Sequence, residues 1–208
     1  MKKPILAAFG LILLGLLTFV FAQSDPQASA LLQQSNHKLS SASDLKASFS
    51  QQLLLKGVVK GSQQGTVWLK GKQFRVEMKD QTLISNGVKM WRVLPADGEC
   101  YEGKYNPDNS FTADRMFKFS QNDTKAKYIE ANHIQLFPKD SKKYDWFKID
   151  LLFNPANQLP AKMTVYNRTG TQTVYTISSL NLNTGIGDSS FLYSAARDCP
   201  GGCEMIQD

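Results

Sequence analysis

The chain has 208 residues, of which 42% are hydrophobic, with 24 lysines and arginines against 18 acidic residues. This composition is sufficient for a single hydrophobic core and is not typical of a disordered chain. With only two histidines and three cysteines, a four-ligand zinc site is difficult to assemble. The sequence has no common nucleotide-binding or hydrolase motif, which argues against those functions. The basic residues are scattered, which argues against nucleic-acid binding.

The first 22 residues are typical of a signal peptide. Lys2 and Lys3 precede an apolar run over residues 5–21, and Ala22 ends the run. The run is at the short end for a membrane span, and no basic cluster follows it. We therefore expect export with cleavage after Ala22, leaving a single domain over residues 23–208. The alternative is an uncleaved membrane anchor.

The mature chain begins with a helix signal, because Asp25 is a good N-cap and Pro26 suits the first helical position. Apolar residues then recur at helical spacing up to Ala42, which predicts an amphipathic helix of four to five turns. We expect its apolar stripe to pack within the chain. The alternative is a helix that binds a partner or a membrane surface.

From residue 45 the hydrophobic period changes to two, which predicts a meander of antiparallel strands. Phe74, Val76 and Met78 alternate with charged residues, among them Arg75. Asn86-Gly87 between two apolar runs is a strong signal for a tight hairpin.

The second half continues this pattern after a polar loop. Residues 112–117 favour a short helix, and strands are expected over residues 127–130, 133–137, 147–153 and 161–165. A further strand is expected over residues 174–182, and residues 191–193 suggest a last one. A sheet of nine to eleven strands curls strongly. The sequence therefore predicts an α+β, mainly β, fold whose helices cover the concave apolar face.

Three cysteines leave the disulfide pairing open. Cys199 and Cys203 enclose a Pro-Gly-Gly turn, which allows a small local loop, whereas a bridge from Cys100 to either would be long-range. One cysteine remains unpaired in either case.

Binding is better supported than catalysis. His37 and His133 lie in no nucleophile motif, so we assign no catalytic residue, no metal and no cofactor, and we do not expect an enzyme. Bulky and flexible side chains on the strands instead suggest a cavity for an apolar ligand. The cavity candidates are Phe74, Val76, Met78, Met90, Trp91, Val93, Met116, Phe117, Phe147, Ile149, Leu151, Met163 and Val165.

An ordered set of short segments resembles a known family. The segments are LKASFSQ at residues 45–51, GTVWLK at 65–70, QFRVE at 73–77, ISNGVKMW at 84–91 with Pro95, FP at 137–138, DSSF at 188–191 and PGGCE at 200–204. Their order and spacing are similar to those of LolA-type periplasmic carriers of outer-membrane lipoproteins.

The resemblance implies an incomplete antiparallel barrel of about eleven strands that holds lipoprotein acyl chains in its apolar interior. It implies a monomeric carrier that takes its cargo from an inner-membrane ABC-type releasing complex and passes it to an outer-membrane acceptor. The resemblance implies no metal, nucleotide or covalent step in the carrier itself. The alternative is a carrier or sensor of another lipid or glycolipid on this scaffold. Gly71-Lys72 replaces the family's usual Arg-Pro, and Arg75 alternates away from Phe74, so the family's lid mechanism is not implied.

Overall fold

A computed structural model describes residues 24–106, 117 and 119–207. The expected signal peptide and the helix expected over residues 112–117, apart from Phe117, lie outside the described residues. The strands are β1 Leu45–Leu55, β2 Val58–Lys70, β3 Gln73–Met78, β4 Thr82–Ser85, β5 Lys89–Leu94, β6 Glu99–Lys104, β7 Thr124–Glu130, β8 His133–Pro138, β9 Trp146–Phe153, β10 Pro160–Asn167, β11 Thr171–Leu182 and β12 Glu204–Gln207. The helices are α1 Pro26–Ser41, a 3-10 turn at Asp188–Phe191, and α2 Ala195–Asp198. None of the helices in this part of the chain has the length and apolarity to cross a bilayer.

The strands of the described residues form one open, curved sheet in the order β12-β6-β5-β4-β3-β2-β1-β11-β10-β9-β8-β7. Two meanders, β1 to β6 and β7 to β11, therefore meet where β1 pairs with β11. This confirms the predicted mainly β, incomplete barrel. Neighbouring strands are antiparallel except that β12 is parallel to β6.

The end of the chain differs from the prediction. The expected last strand over residues 191–193 is wrong, because Phe191 ends the 3-10 turn with its side chain fully buried. Periodicity cannot distinguish a short apolar run in a strand from one in a buried turn. The last strand is β12, which begins where the Glu204 N–H donates to the Gly98 carbonyl at 2.8 Å.

Helix α1 forms as the sequence predicts. The Asp25 carboxylate accepts hydrogen bonds from the backbone N–H groups of Gln27 and Ala28, at 2.8 and 3.4 Å, which caps the helix. The buried face of α1 lies on the sheet, so its apolar stripe packs within the chain. That face consists of Ala28, Leu32, Ser35 and Leu39.

The sheet face beneath α1, here called the inner face, carries two hydrophobic clusters. One lies on β1 to β5 and includes Leu39 of α1. The other lies on β7 to β10 and includes Ala28 and Leu32 of α1. Tyr175 on β11 packs against both clusters, so the apolar surface is continuous across the junction of the two meanders.

The opposite face, here called the outer face, carries a third cluster beneath the C-terminal segment. Its buried members are Ile84, Trp91, Val93, Cys100 and Cys199. Cys199 and Cys203 form the disulfide, which selects the local loop, and Cys100 is free and buried. Burial raises the pKa of the Cys100 thiol.

A buried ion pair fastens this C-terminal segment to the outer face. The Arg75 Nη2 donates to Asp198 Oδ1 at 2.7 Å, and both side chains are almost completely buried. Burial alone would raise the pKa of Asp198, but hydrogen bonds from Arg197, Arg75 and the Ser194 N–H keep it below its ordinary value. Arg75 therefore lies on the side opposite Phe74, as its alternation predicts.

Candidate functional site

The inner face gathers most of the predicted cavity residues. Phe74, Val76, Met78, Met90 and Phe117 belong to the cluster on β1 to β5. Four others, Ile149, Leu151, Met163 and Val165, lie in the second cluster. Strand pairing places Met163 opposite Leu151 and Val165 opposite Ile149. The inner face thus brings nine of these side chains onto one continuous apolar surface.

Four predicted residues lie elsewhere. Trp91 and Val93 are in the outer-face cluster, where the Trp91 ring stacks on Tyr193 with centroids 6.5 Å apart. Met90 and Trp91 are consecutive in a strand, so only one of them can point to the inner face. Phe147 is 45% exposed, at an irregularity where β9 and β10 change register. Met116 is outside the described residues.

Phe49 and Tyr175 are inner-face residues that the candidate list omits. Their ring centroids are 6.3 Å apart, and burial raises the pKa of the Tyr175 hydroxyl to about 12. The Phe49 ring lies against Gly65, where a Cβ atom would come within 2.7 Å of Phe49 Cζ and of the Glu77 carbonyl oxygen. The alternation of Ala47 and Phe49 with Ser48 and Ser50 was the signal that could have identified Phe49, whereas the role of Gly65 depends on cross-strand pairing.

Helix α1 covers the inner face and is tied at its edges by a few hydrogen bonds. The Asn36 side-chain amide donates to the Phe119 carbonyl and the Lys38 ammonium to the Asn157 carbonyl, both at 2.8 Å. Near the start of the helix, the Asp25 N–H donates to the Ala126 carbonyl. These contacts join α1 to the second half of the sheet.

The underside of α1 is partly polar. Ser35 is 1% exposed, and its hydroxyl finds no hydrogen-bond partner among the described residues; the same holds for the buried Asn36 Oδ1. An unsatisfied buried polar group destabilises the packed arrangement. Helix α1 therefore covers the inner face with an unfavourable polar group beneath it.

A depression of about 480 Å³ opens where β1 changes register against β11, and the inner-face residues Phe49 and Met78 form part of its lining. Most of its lining is hydroxyl, amide or carboxylate side chains, including Ser50, Gln64 and Thr66. This chemistry does not match an acyl chain, which forms no hydrogen bonds, so the inner face is the better apolar site.

Polar side chains on the outer face of β8 to β10 form no catalytic arrangement that we recognise. His133 Nε2 lies 3.7 Å from Asp150 Oδ1, too far for a hydrogen bond. Burial would raise the pKa of Asp150, but hydrogen bonds from Tyr166, Gln135 and Lys148 hold it below its ordinary value. In the part of the chain that the structure describes, no three His, Cys, Asp or Glu side chains are placed to hold a metal.

Comparison with known proteins points to one family. A model for the outer membrane lipoprotein carrier protein LolA matches residues 40–194. Among solved structures, an uncharacterized conserved protein from Thermus thermophilus has a TM-score of 0.55 at 9% identity, covering 88% of this chain and 99% of that one. A LolA superfamily protein from Nitrosomonas europaea has a TM-score of 0.46 at 12% identity, covering 80% of this chain and 97% of that one. No curated protein matches the sequence. The family match includes β1 to β11 and therefore both halves of the inner face.

Proposed function

Because the chain belongs to the LolA family of outer membrane lipoprotein carrier proteins, we propose that it shields lipoprotein acyl chains beneath α1 and carries them between the inner and outer membranes. The observation that supports this most directly is the continuous apolar inner face, with α1 spanning both of its clusters. This role requires binding and release without chemistry, so we propose a carrier and not an enzyme.

The energies are consistent with entry of an acyl chain beneath α1. Each buried methylene contributes about 0.8 kcal/mol, so shielding a long acyl chain is worth on the order of 10 kcal/mol. The large apolar residues that α1 buries are Leu32 and Leu39, which contribute about 3–6 kcal/mol together. The burial of an acyl chain can therefore offset the loss of these two side-chain contacts when α1 is displaced. The nondirectional character of the contact also permits release.

The remaining features of the proposal follow from the same role. We propose a periplasmic monomer with a single domain over residues 23–208, exported with cleavage after Ala22. Its partners are acylated lipoproteins, an inner-membrane ABC-type releasing complex and an outer-membrane acceptor. The residues that contact the acyl chain are those of the inner face, led by Phe74, Met78 and Leu151.

The test measures binding of a synthetic triacylated lipopeptide to the purified mature protein by displacement of a fluorescent fatty acid. Met78→Lys introduces a charge on the inner face, and Glu77→Lys introduces the same charge at the next residue, whose side chain is 44% exposed. We expect Met78→Lys to weaken binding about tenfold or more and Glu77→Lys to have little effect. Equal losses in two variants with wild-type circular dichroism would contradict the assignment of the inner face.

Native mass spectrometry of the protein isolated from its envelope fraction would identify the cargo and the mature N-terminus together. A bound acylated polypeptide supports the lipoprotein carrier. A bound free lipid or glycolipid in place of any polypeptide would support the alternative, a carrier or sensor of such lipids.

A further inference from the structure

The hairpin that joins β1 and β2 exposes an unusual number of apolar side chains. In residues 53–60, here called the hairpin tip, Leu53 is 42% exposed, Leu55 37%, Val58 57% and Val59 50%. Single exposed apolar residues are common on protein surfaces, but a contiguous group marks an interaction surface.

The hairpin tip extends beyond the neighbouring strand on one side. Strand β3 pairs with β2 only over residues 65–70, so in the described structure residues 58–64 have no strand partner on that side. On the other side, β11 accompanies β1 as far as the pair Leu55–Thr171. Lys56 and Gly57 have φ values of 51° and 78°, as in a type I′ turn that suits a twisted hairpin. The tip is therefore a projection supported along one edge.

Both faces of the tip are apolar. Leu55 is paired with Val58, and Leu54 is paired with Val59, so the two pairs point to opposite faces of the hairpin. A flat protein surface would cover only one of these faces. A lipid interface surrounds an inserted segment and can accept apolar side chains on both of its faces.

The charge around the tip has one sign. Lys56 and Lys60 lie within it, and the two strands that form the hairpin, β1 and β2, contain no acidic residue. Strand β11, which supports the tip, also has no acidic residue. Lysines beside an exposed apolar segment complement anionic lipid headgroups.

We propose that the hairpin tip inserts its apolar side chains into the headgroup region of an anionic phospholipid membrane, with Lys56 and Lys60 contacting the phosphates. This contact is independent of the cargo and of the inner face. It gives the protein a defined orientation on the membrane, with the tip inward and the turn at Asn86-Gly87 at the opposite end of the sheet.

The experiment is co-sedimentation of the mature protein with vesicles of phosphatidylglycerol and phosphatidylethanolamine, and with vesicles of phosphatidylcholine alone. The test variant is V58D/V59D. The matched control is Val88→Asp, because Val88 is 68% exposed and lies at the opposite end of the sheet. These substitutions all affect exposed side chains, so circular dichroism and the melting temperature should remain those of the wild type.

We expect the wild type and Val88→Asp to bind the anionic vesicles, and V58D/V59D to bind at least about tenfold more weakly. We also expect K56E/K60E to remove the preference for anionic vesicles. The proposal is overturned if the wild type does not bind these vesicles, if Val88→Asp reduces binding as much as V58D/V59D, or if the two lipid compositions bind equally. A tip that docks on a protein partner instead would give the first of these results.

Discussion

Replacing Ser35 with alanine should stabilise the protein and weaken binding of an acyl chain in the same variant. Ser35 is buried on the underside of α1, and its hydroxyl has no hydrogen-bond partner among the described residues. Removing an unsatisfied buried hydroxyl recovers about 1–3 kcal/mol. The higher helix propensity of alanine adds about 0.5 kcal/mol.

These numbers predict a gain of about 2 kcal/mol in the free energy of unfolding and an increase of about 4–8 °C in the melting temperature. If the acyl chain enters by displacing α1, the part of the stability gain that comes from removing the buried hydroxyl favours the state in which α1 covers the inner face. That part therefore also opposes binding. A share of about 1.4 kcal/mol raises the apparent dissociation constant about tenfold.

The control is Ser40→Ala, which makes the same chemical change on an exposed position of α1. Its free energy of unfolding should increase only by the helix-propensity contribution, and its binding of the lipopeptide should be unchanged. Urea unfolding gives the stability difference, and fatty-acid displacement gives the affinity. A Ser35→Ala protein that is more stable than Ser40→Ala but binds the lipopeptide equally well would show that α1 does not move for binding. A less stable Ser35→Ala protein would refute the argument from the unsatisfied hydroxyl.

Two further predictions concern the segments that close the fold. Arg75→Met should lower the free energy of unfolding in urea by about 1–3 kcal/mol, because the buried Asp198 loses one of its two arginine partners while Arg197 still donates to it; a loss as small as that of the exposed Lys60→Met would contradict this. Hydrogen bonds, first among them that from the Thr184 hydroxyl, lower the pKa of Asp44 to about 2. The unfolded carboxyl titrates near 3.8, so the unfolded state binds more protons between these values and stability falls as the pH drops through this range. Asp44→Asn should flatten the decline of the urea midpoint between pH 5 and pH 2, and an unchanged slope would exclude Asp44 as its source.

The parts that could be predicted from the sequence are those in which one face of an element is buried. Helix α1 and the alternation around Phe74 follow from this rule, because burial on one side gives a helix or strand its hydrophobic period. The family resemblance could also be recognised, because it rests on the order and spacing of short segments along the sequence.

Other features depend on contacts between distant residues. A change of register at one end of β9 leaves Phe147 exposed although it alternates with Ile149, and no residue type in the sequence marks that irregularity. The pairing of Arg75 with Asp198 joins positions 123 residues apart. The parallel strand β12 likewise depends on where the disulfide loop returns the chain. The hydrophobic periodicity of an element shows that one of its faces is buried, but it does not identify which other element packs against that face.

The pairing of β1 with β11 has a consequence for how the chain folds. Leu45 pairs with Leu182, so the junction of the two halves cannot form until almost the whole chain is present. The β1–β2 hairpin can form early because its contacts are local, but the other edge of β1 stays unpaired until β11 has been synthesised. Closing so long a loop slows folding, and an unpaired edge invites association with other chains. During synthesis, the newly made chain therefore passes through a stage at which a holdase chaperone that protects this edge would raise the yield of folded protein.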